Sequence, residues 1–255
     1  MDFTGKTAIA TGATSGMGLL FSQQFAQLGG NIVMCGRSEE TLQEKVAEIN
    51  AKGKGKALGV VCDVRDYAQV CNVRDKAVEA FGSIDILVNF AGGTAVRMLG
   101  IGWSTYAEFP DVPMDVYDWG IDVNLKGPFY FAHAVSKQMR QQQGGLIVNL
   151  GSITGAEGDS YGMDYATSKA GLMYGLTKSI AQFGAPHNIR CVCVSPGPVL
   201  TRANMAEMKT LSGRAAEPQE IIDLILFIAS DKGQFINGEN IMIDGGRNAM
   251  QRSKV

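Results

Sequence analysis

Short runs of consecutive apolar, often β-branched residues alternate along the chain with longer stretches whose apolar positions recur at helical spacing. The runs are KTAIATG (6–12), NIVMCG (31–36), KALGVVCDV (56–64), IDILVNFAG (84–92), GLIVNLGS (145–152), NIRCVCVSPG (188–197) and ENIMIDGG (239–246). Between them, residues 16–29, 38–52, 66–81, 115–143, 161–184 and 218–230 carry the period of a helix. Chemical markers sharpen several boundaries. Gly12 stops the first run, Ser38 with Glu39 and Glu40 opens the second helix where negative charge suits its dipole, and Pro218 begins the last. Runs that are apolar at nearly every position predict strands buried on both faces, and their alternation with helices predicts βαβ crossovers. The expected fold class is α/β: a doubly wound, mostly parallel seven-stranded sheet with helices on both faces, a three-layer α/β/α sandwich. No Pro/Ser-rich linker, internal repeat or low-complexity segment breaks the rhythm, so residues 1–255 are expected to form a single domain.

Two connections exceed that rhythm: residues 93–114, which hold Trp103, Tyr106 and Phe109, and residues 198–217. Each follows the carboxyl end of a strand, the side on which open α/β sheets bind ligands. Composition narrows the partner. With 23 Lys+Arg against 25 Asp+Glu, the chain lacks the basic excess that nucleic acid or an anionic membrane surface would need. No apolar run nears the about 18 residues of a membrane span, and MDFTGKTAIATG lacks the basic-then-apolar order of a signal peptide, so a cytoplasmic protein is expected. The five cysteines, Cys35, Cys62, Cys71, Cys191 and Cys193, are odd in number. Two residues apart on a strand, Cys191 and Cys193 would face the same side, a poor disulfide geometry. No C-x-x-C spacing occurs, and His133 and His187 are distant in sequence; reduced thiols and no metal site are expected.

The chemistry begins at TGATSGMG (11–18), which joins the first strand to the first helix. Gly12, Gly16 and Gly18 follow G-x-x-x-G-x-G rather than the common G-x-G-x-x-G dinucleotide spacing. Glycines let the backbone turn tightly and approach a pyrophosphate, and the helix N-terminus behind them offers free N–H groups. At the tip of the second strand an acid would select NAD by binding the ribose 2′-hydroxyl. CGRSEE instead offers Arg37 and Ser38, which can bind a 2′-phosphate. NADP (NADPH) is therefore expected ahead of NAD; Glu39 and Glu40 facing the same pocket would reverse that order.

YATSK (165–169) sets Tyr165 and Lys169 four apart, one above the other on a helix face. A free phenol, with a pKa of about 10, is a poor proton shuttle at neutral pH, and a nearby ammonium stabilises its phenolate. Five letters alone leave both an acid–base pair and two ordinary helix residues open.

The segments TGATSGMG, CDV (62–64), NFAG (89–92), DVNLKG (122–127), GS (151–152), YATSK, SPG (195–197) and INGENIMIDGG (236–246) narrow that choice together. Their order and spacing are those of one family, and from about Lys6 to Gly246 the chain resembles the short, single-domain branch of the short-chain dehydrogenase/reductases. The resemblance implies a Rossmann-type fold and an oxidoreductase that interconverts a ketone and a secondary alcohol by hydride transfer with a nicotinamide dinucleotide. It makes Tyr165 the proton donor or acceptor for the substrate oxygen. Lys169 would hold the nicotinamide ribose and lower the Tyr165 pKa. Ser152 would position and polarise the substrate oxygen, and Asn124 would anchor a water-mediated proton relay to the lysine. By the same resemblance, the glycine turn with Thr14, Ser15 and Met17 cradles the cofactor, Asp63 contacts the adenine and Val64 packs against it. Asn89, Ala91 and Gly92 line the cofactor, and Pro196, Gly197, Val199 and Thr201 hold the nicotinamide. INGENIMIDGG looks like the segment through which members pair, implying a homotetramer or homodimer.

The departures matter for substrate. Phe90 stands where the family usually has a second asparagine, and Val192 at another usual asparagine position. The 93–114 connection is longer than common, so Trp103, Tyr106 or Phe109 is expected to wall the substrate; 198–217 is short for a covering segment. Sugars and polyols, steroid-like or polyphenol ring ketones and 3-oxoacyl groups all remain open. Glu157, Asp159 and Asp164, expected with Met163 at the entrance, favour a neutral, hydroxyl-rich molecule, whereas the aromatic loop favours a flat apolar ring. A rival reading from another class is a dinucleotide-binding sensor or scaffold without turnover; its usual sign, loss of the tyrosine or lysine, is not seen here.

Overall fold

In the computed structural model, which describes residues 1–100 and 109–250, seven strands join one sheet. They are β1 (Thr7–Thr11), β2 (Asn31–Gly36), β3 (Ala57–Val61), β4 (Ile86–Asn89), β5 (Gly145–Leu150), β6 (Ile189–Pro196) and β7 (Asn240–Ile243). Every pairing is parallel, in the order β3-β2-β1-β4-β5-β6-β7. The chain starts at the centre, winds outward to β3, then returns beside β1 and winds the other way. The strand order thus reverses between β1 and β4, and in such sheets the crevice at the carboxyl ends there is the ligand site.

The helices are α1 (Gly16–Gln27), α2 (Glu39–Lys52), α3 (Tyr67–Phe81), α4 (Ala95–Leu99), α5 (Met114–Ile121), α6 (Gly127–Gln141), α7 (Thr154–Glu157), α8 (Met163–Ala170), α9 (Thr177–Gly184) and α10 (Pro218–Ala229). Successive strand residues face opposite layers, as the period of two requires. Ala8, Ala10, Ile32 and Met34 pack with Phe21 and Phe25 of α1 and Ile221 and Ile225 of α10. Ile9, Val33, Leu87 and Ile147 pack on the other face with Val70 and Val73 of α3 and Phe131 and Val135 of α6. Phe90, the departure from the family pattern, lies 5.5 Å from Phe21 and joins the first layer. Its ring adds apolar contact beneath the glycine turn instead of a polar group.

The expected elements are present with adjusted ends. The runs at 56–64 and 84–92 are longer than β3 and β4, because their last residues leave the sheet to form the crevice. The long helical stretches at 115–143 and 161–184 are each interrupted by one π turn, Asp122–Lys126 and Gly171–Leu176. α4 and α7 were not expected, since helices of five and four residues are too short to show a period. All five cysteines are free thiols, with Cys71 the one that is partly exposed.

Candidate active site

The glycine turn between β1 and α1 is fixed by close contact. Gly12 has a positive φ of 60°, and a Cβ there would lie 3.0 Å from the Ala91 backbone. A Cβ at Gly18 would strike the Gly12 carbonyl oxygen, so α1 begins hard against the strand end. Ser15, at the helix start, is extended and its side chain makes no capping bond, which leaves the leading N–H groups without a side-chain acceptor. This backbone cradle, narrow and rich in free donors, fits the pyrophosphate of a dinucleotide. Thr14 packs over Gly36 and Met17 against the core.

At the tip of β2, Arg37 is exposed. Ser38 also caps α2: its Oγ accepts from Thr41 N at 3.4 Å and lies 3.1 Å from the Thr41 hydroxyl. Asp63 is gripped by Arg65, whose Nε is 3.0 Å from Oδ1 and Nη2 2.6 Å from Oδ2. That fork holds the Asp63 carboxyl below the usual carboxylate range, with the more distant Arg37 pushing the same way. Arg65 was missed in the sequence, where CDVRD carried the signal: an acid and a guanidinium two residues apart at a strand end. Val64 is buried against Gly127. Asn89 donates to Asn149 Oδ1 at 2.9 Å and Asn149 to Thr177 Oγ1 at 3.1 Å, so the Asn89 amide is committed to the sheet.

The proposed chemical groups converge from three elements. The π turn at Asp122–Lys126 carries Asn124, which is fully buried; its Nδ2 donates to the carbonyls of Gly93 and Gly120 at 2.9 Å each, and its Oδ1 accepts from Gly93 N at 2.8 Å. Such turns widen a helix locally and recur at functional sites. A Cβ at Gly92 would lie 2.6 Å from Asn124 Oδ1 and 3.5 Å from Lys169 Nζ, so the end of β4, the π turn and α8 meet there. Lys169 is 4% exposed; its Nζ donates to the Leu150 carbonyl at 2.6 Å and stands 5.3 Å from the centroid of the Tyr165 ring. Ser152 follows Leu150 by two residues, and its Oγ accepts from Thr154 N at 3.1 Å. α7 lies so close to the Tyr165 helix that a Cβ at Gly155 would be 2.7 Å from Ala170 N. On the far side, Ile153 N donates to Pro196 O at 2.8 Å and Gly197 N to Ile243 O at 3.0 Å. Val199 is buried in the core, and the Thr201 hydroxyl donates to the Val199 carbonyl at 3.4 Å.

The substrate side differs from expectation. Trp103 and Tyr106 lie outside the described residues, while Phe109 is 68% exposed. Asp164 is no entrance acid: it is buried against Gly120 of α5, where a Cβ would strike its carboxylate. Glu157 is held in an ion pair with Arg247. Of the three acids taken to favour a hydroxyl-rich substrate, Asp159 alone stays exposed, and its Oδ1 accepts from Tyr161 N at 2.9 Å. Among the described residues no cluster of three or more His, Cys, Asp and Glu could hold a metal, and no helix is long and apolar enough to cross a membrane.

Comparison with known proteins finds relatives over nearly the whole chain. A family model described as short chain dehydrogenase matches residues 6–212. The 3-oxoacyl-[acyl-carrier-protein] reductase FabG of Thermotoga maritima is 37% identical over 96% of this chain and 99% of its own. An L-rhamnose 1-dehydrogenase (NAD(P)(+)) of a Sphingomonas species is 34% identical over 95% of this chain and 96% of its own. A solved structure of NAD+-bound xylitol dehydrogenase superposes with a TM-score of 0.86 at 29% identity, covering 96% of this chain and all of the other.

Proposed function

The chain belongs to the short-chain dehydrogenase/reductase family and is an NAD(P)-dependent oxidoreductase of CH–OH groups; on that premise we propose that it interconverts a ketone and a secondary alcohol, with NADP(H) preferred, through Ser152, Tyr165, Lys169 and Asn124. The observation that carries this reading is the meeting of Tyr165, Lys169, Asn124 and Gly92 at the carboxyl ends of β4 and β5, beside the glycine turn. When bound, the nicotinamide supplies hydride to the carbonyl carbon, or takes it from the carbinol carbon. In the reductive direction, Ser152 donates a hydrogen bond to the substrate oxygen and polarises it. Tyr165 gives its proton to that oxygen, and the positive charge of Lys169 stabilises the phenolate that remains. The Leu150 carbonyl fixes the ammonium in position. Asn124, through its bonds to Gly93 and Gly120, holds the widened helix and the end of β4 together beside Lys169.

Arg37 supports the preference for NADP(H), since an exposed guanidinium at the β2 tip suits a 2′-phosphate. The same reading takes the partly exposed edge strand β7 as the contact through which copies pair into a homotetramer or homodimer, and the free thiols suit the cytoplasm. The test is NADPH and NADH turnover over a panel of sugar, ring-ketone and 3-oxoacyl substrates. Tyr165→Phe is expected to lower kcat by about 10²–10⁴-fold, the contribution of a positioned acid. Tight NADPH binding by a parent chain that turns over nothing in the panel would instead favour the sensor reading or a substrate outside these three classes.

A further inference from the structure

Arg247 follows β7 by four residues and sends its guanidinium between two connections. Nε and Nη2 lie 3.3 and 3.1 Å from Glu157 Oε2, and Nη1 donates to the Lys209 carbonyl at 3.1 Å. Both charged side chains are about three-quarters covered, at 24% and 23% exposure. The backbone that carries the arginine is itself folded: Gly246 N and Asn248 N donate to the Asp244 carboxylate at 3.0 and 2.7 Å, and Ser212 N donates to Gly245 O at 3.0 Å.

The two connections matter to the site. Glu157 lies between Ser152 and Tyr165, and Lys209 lies in the 198–217 segment that follows β6. At their roots the two are joined by the bond from Ile153 N to Pro196 O. The Arg247 guanidinium joins them a second time, at Glu157 and Lys209. We propose that Arg247 is a positioning residue that sets the spacing of these two walls and so holds the substrate carbonyl against Ser152 and Tyr165. The planar fork is what the geometry uses: one edge serves a carboxylate while another donor reaches a carbonyl, which a lysine ammonium cannot reproduce. Its link to substrate rests on the oxidoreductase reading; the clamp itself does not.

The experiment compares Arg247→Met, Arg247→Lys and Glu157→Gln with the parent in two readouts. Amide hydrogen exchange over residues 154–160 and 203–213 is expected to quicken in all three, most in Arg247→Met. In the carbonyl assay, kcat/KM should fall about tenfold in Arg247→Met, chiefly through kcat, with NADPH Kd unchanged and only partial recovery in Arg247→Lys. Unchanged exchange in the folded variants overturns the clamp. Faster exchange with unchanged kcat and KM overturns its role in positioning. A parent without turnover on the panel would leave the proposed ketone–alcohol substrates unsupported, while the exchange readout would still decide whether Arg247 joins the two walls. Should Arg247→Met not fold, Glu157→Gln removes the same ion pair while leaving the arginine in place.

Discussion

The two sides of the crevice are held by different means. On the cofactor side, backbone meets backbone: Gly12 abuts Ala91, and Gly18 abuts the Gly12 carbonyl, all within a turn set by β1 and β4. On the proposed substrate side, long charged side chains do the holding: Glu157 is tied by Arg247, 90 residues away, and Arg214 in the 198–217 connection by Glu220 in the first turn of α10. A backbone contact has no rotamers to lose and leaves no room for a side chain, whereas an ion pair, partly covered at Arg247 and exposed at Arg214, must first order two flexible groups. The first kind of construction suits a ligand part that stays constant, and the second suits a wall that varies with substrate.

The sharpest way to break that contrast is at Gly18. Gly18→Ala puts a methyl into the Gly12 carbonyl, an overpacking that costs about 1–3 kcal/mol. If the strain falls on the turn, NADPH Kd should weaken by about 10–100-fold in a fluorescence titration. Unaltered affinity would mean that the turn yields as readily as a surface loop. A smaller effect is expected at Arg37, where Arg37→Ala removes the charge proposed to bind the 2′-phosphate and should cut the ratio of NADPH to NADH kcat/KM by about tenfold. An unchanged ratio would show that the cofactor is read elsewhere, and Arg65, which grips Asp63, would be the next guanidinium to replace.

The same contrast explains what was legible in the sequence. The glycine turn, the apolar strands and the Tyr165–Lys169 spacing are local patterns, and each letter reports its own surroundings. The doubly wound, mostly parallel sheet follows from the alternation of strands and helices, which restricts the topology sharply. By contrast, Glu157 and Arg247 are 90 residues apart, and no local period signals that they meet. Read alone, Glu157 is an acid near the entrance; the structure makes it half of an ion pair. Asp164 misled for a related reason, since its burial depends on Gly120 in another helix leaving space. The π turn that carries Asn124 also left no mark in the apolar pattern, because one extra residue in a long helix shifts the period too little to notice.

The smallest predicted effect tests whether the substrate-side ion pairs hold in solution. Arg214 meets Glu220 with both nitrogens, Nη1 to Oε2 and Nη2 to Oε1 at 2.7 Å, and Glu217 N donates to the same carboxylate at 2.9 Å. The Arg214 fork, then the Glu217 N–H, holds the Glu220 carboxyl down at about 2 from an ordinary 4.5. Because the folded form favours the ionised acid, this contribution to stability is complete above the ordinary value and is lost as pH falls from there toward about 2. Both side chains are substantially exposed, so the gain is small and screened by salt. An NMR titration should find the Glu220 midpoint near 2 at low ionic strength, moving upward as salt is added. In the same range, the difference in melting temperature between the parent and Glu220→Gln should shrink with falling pH. A midpoint near 4.5 would mean that the fork is open in solution. The end of the 198–217 connection would then rest on the Thr210 hydroxyl, bonded to Arg214, and on the Glu217 cap of α10, and the burden of shaping the proposed substrate wall would pass to Arg247.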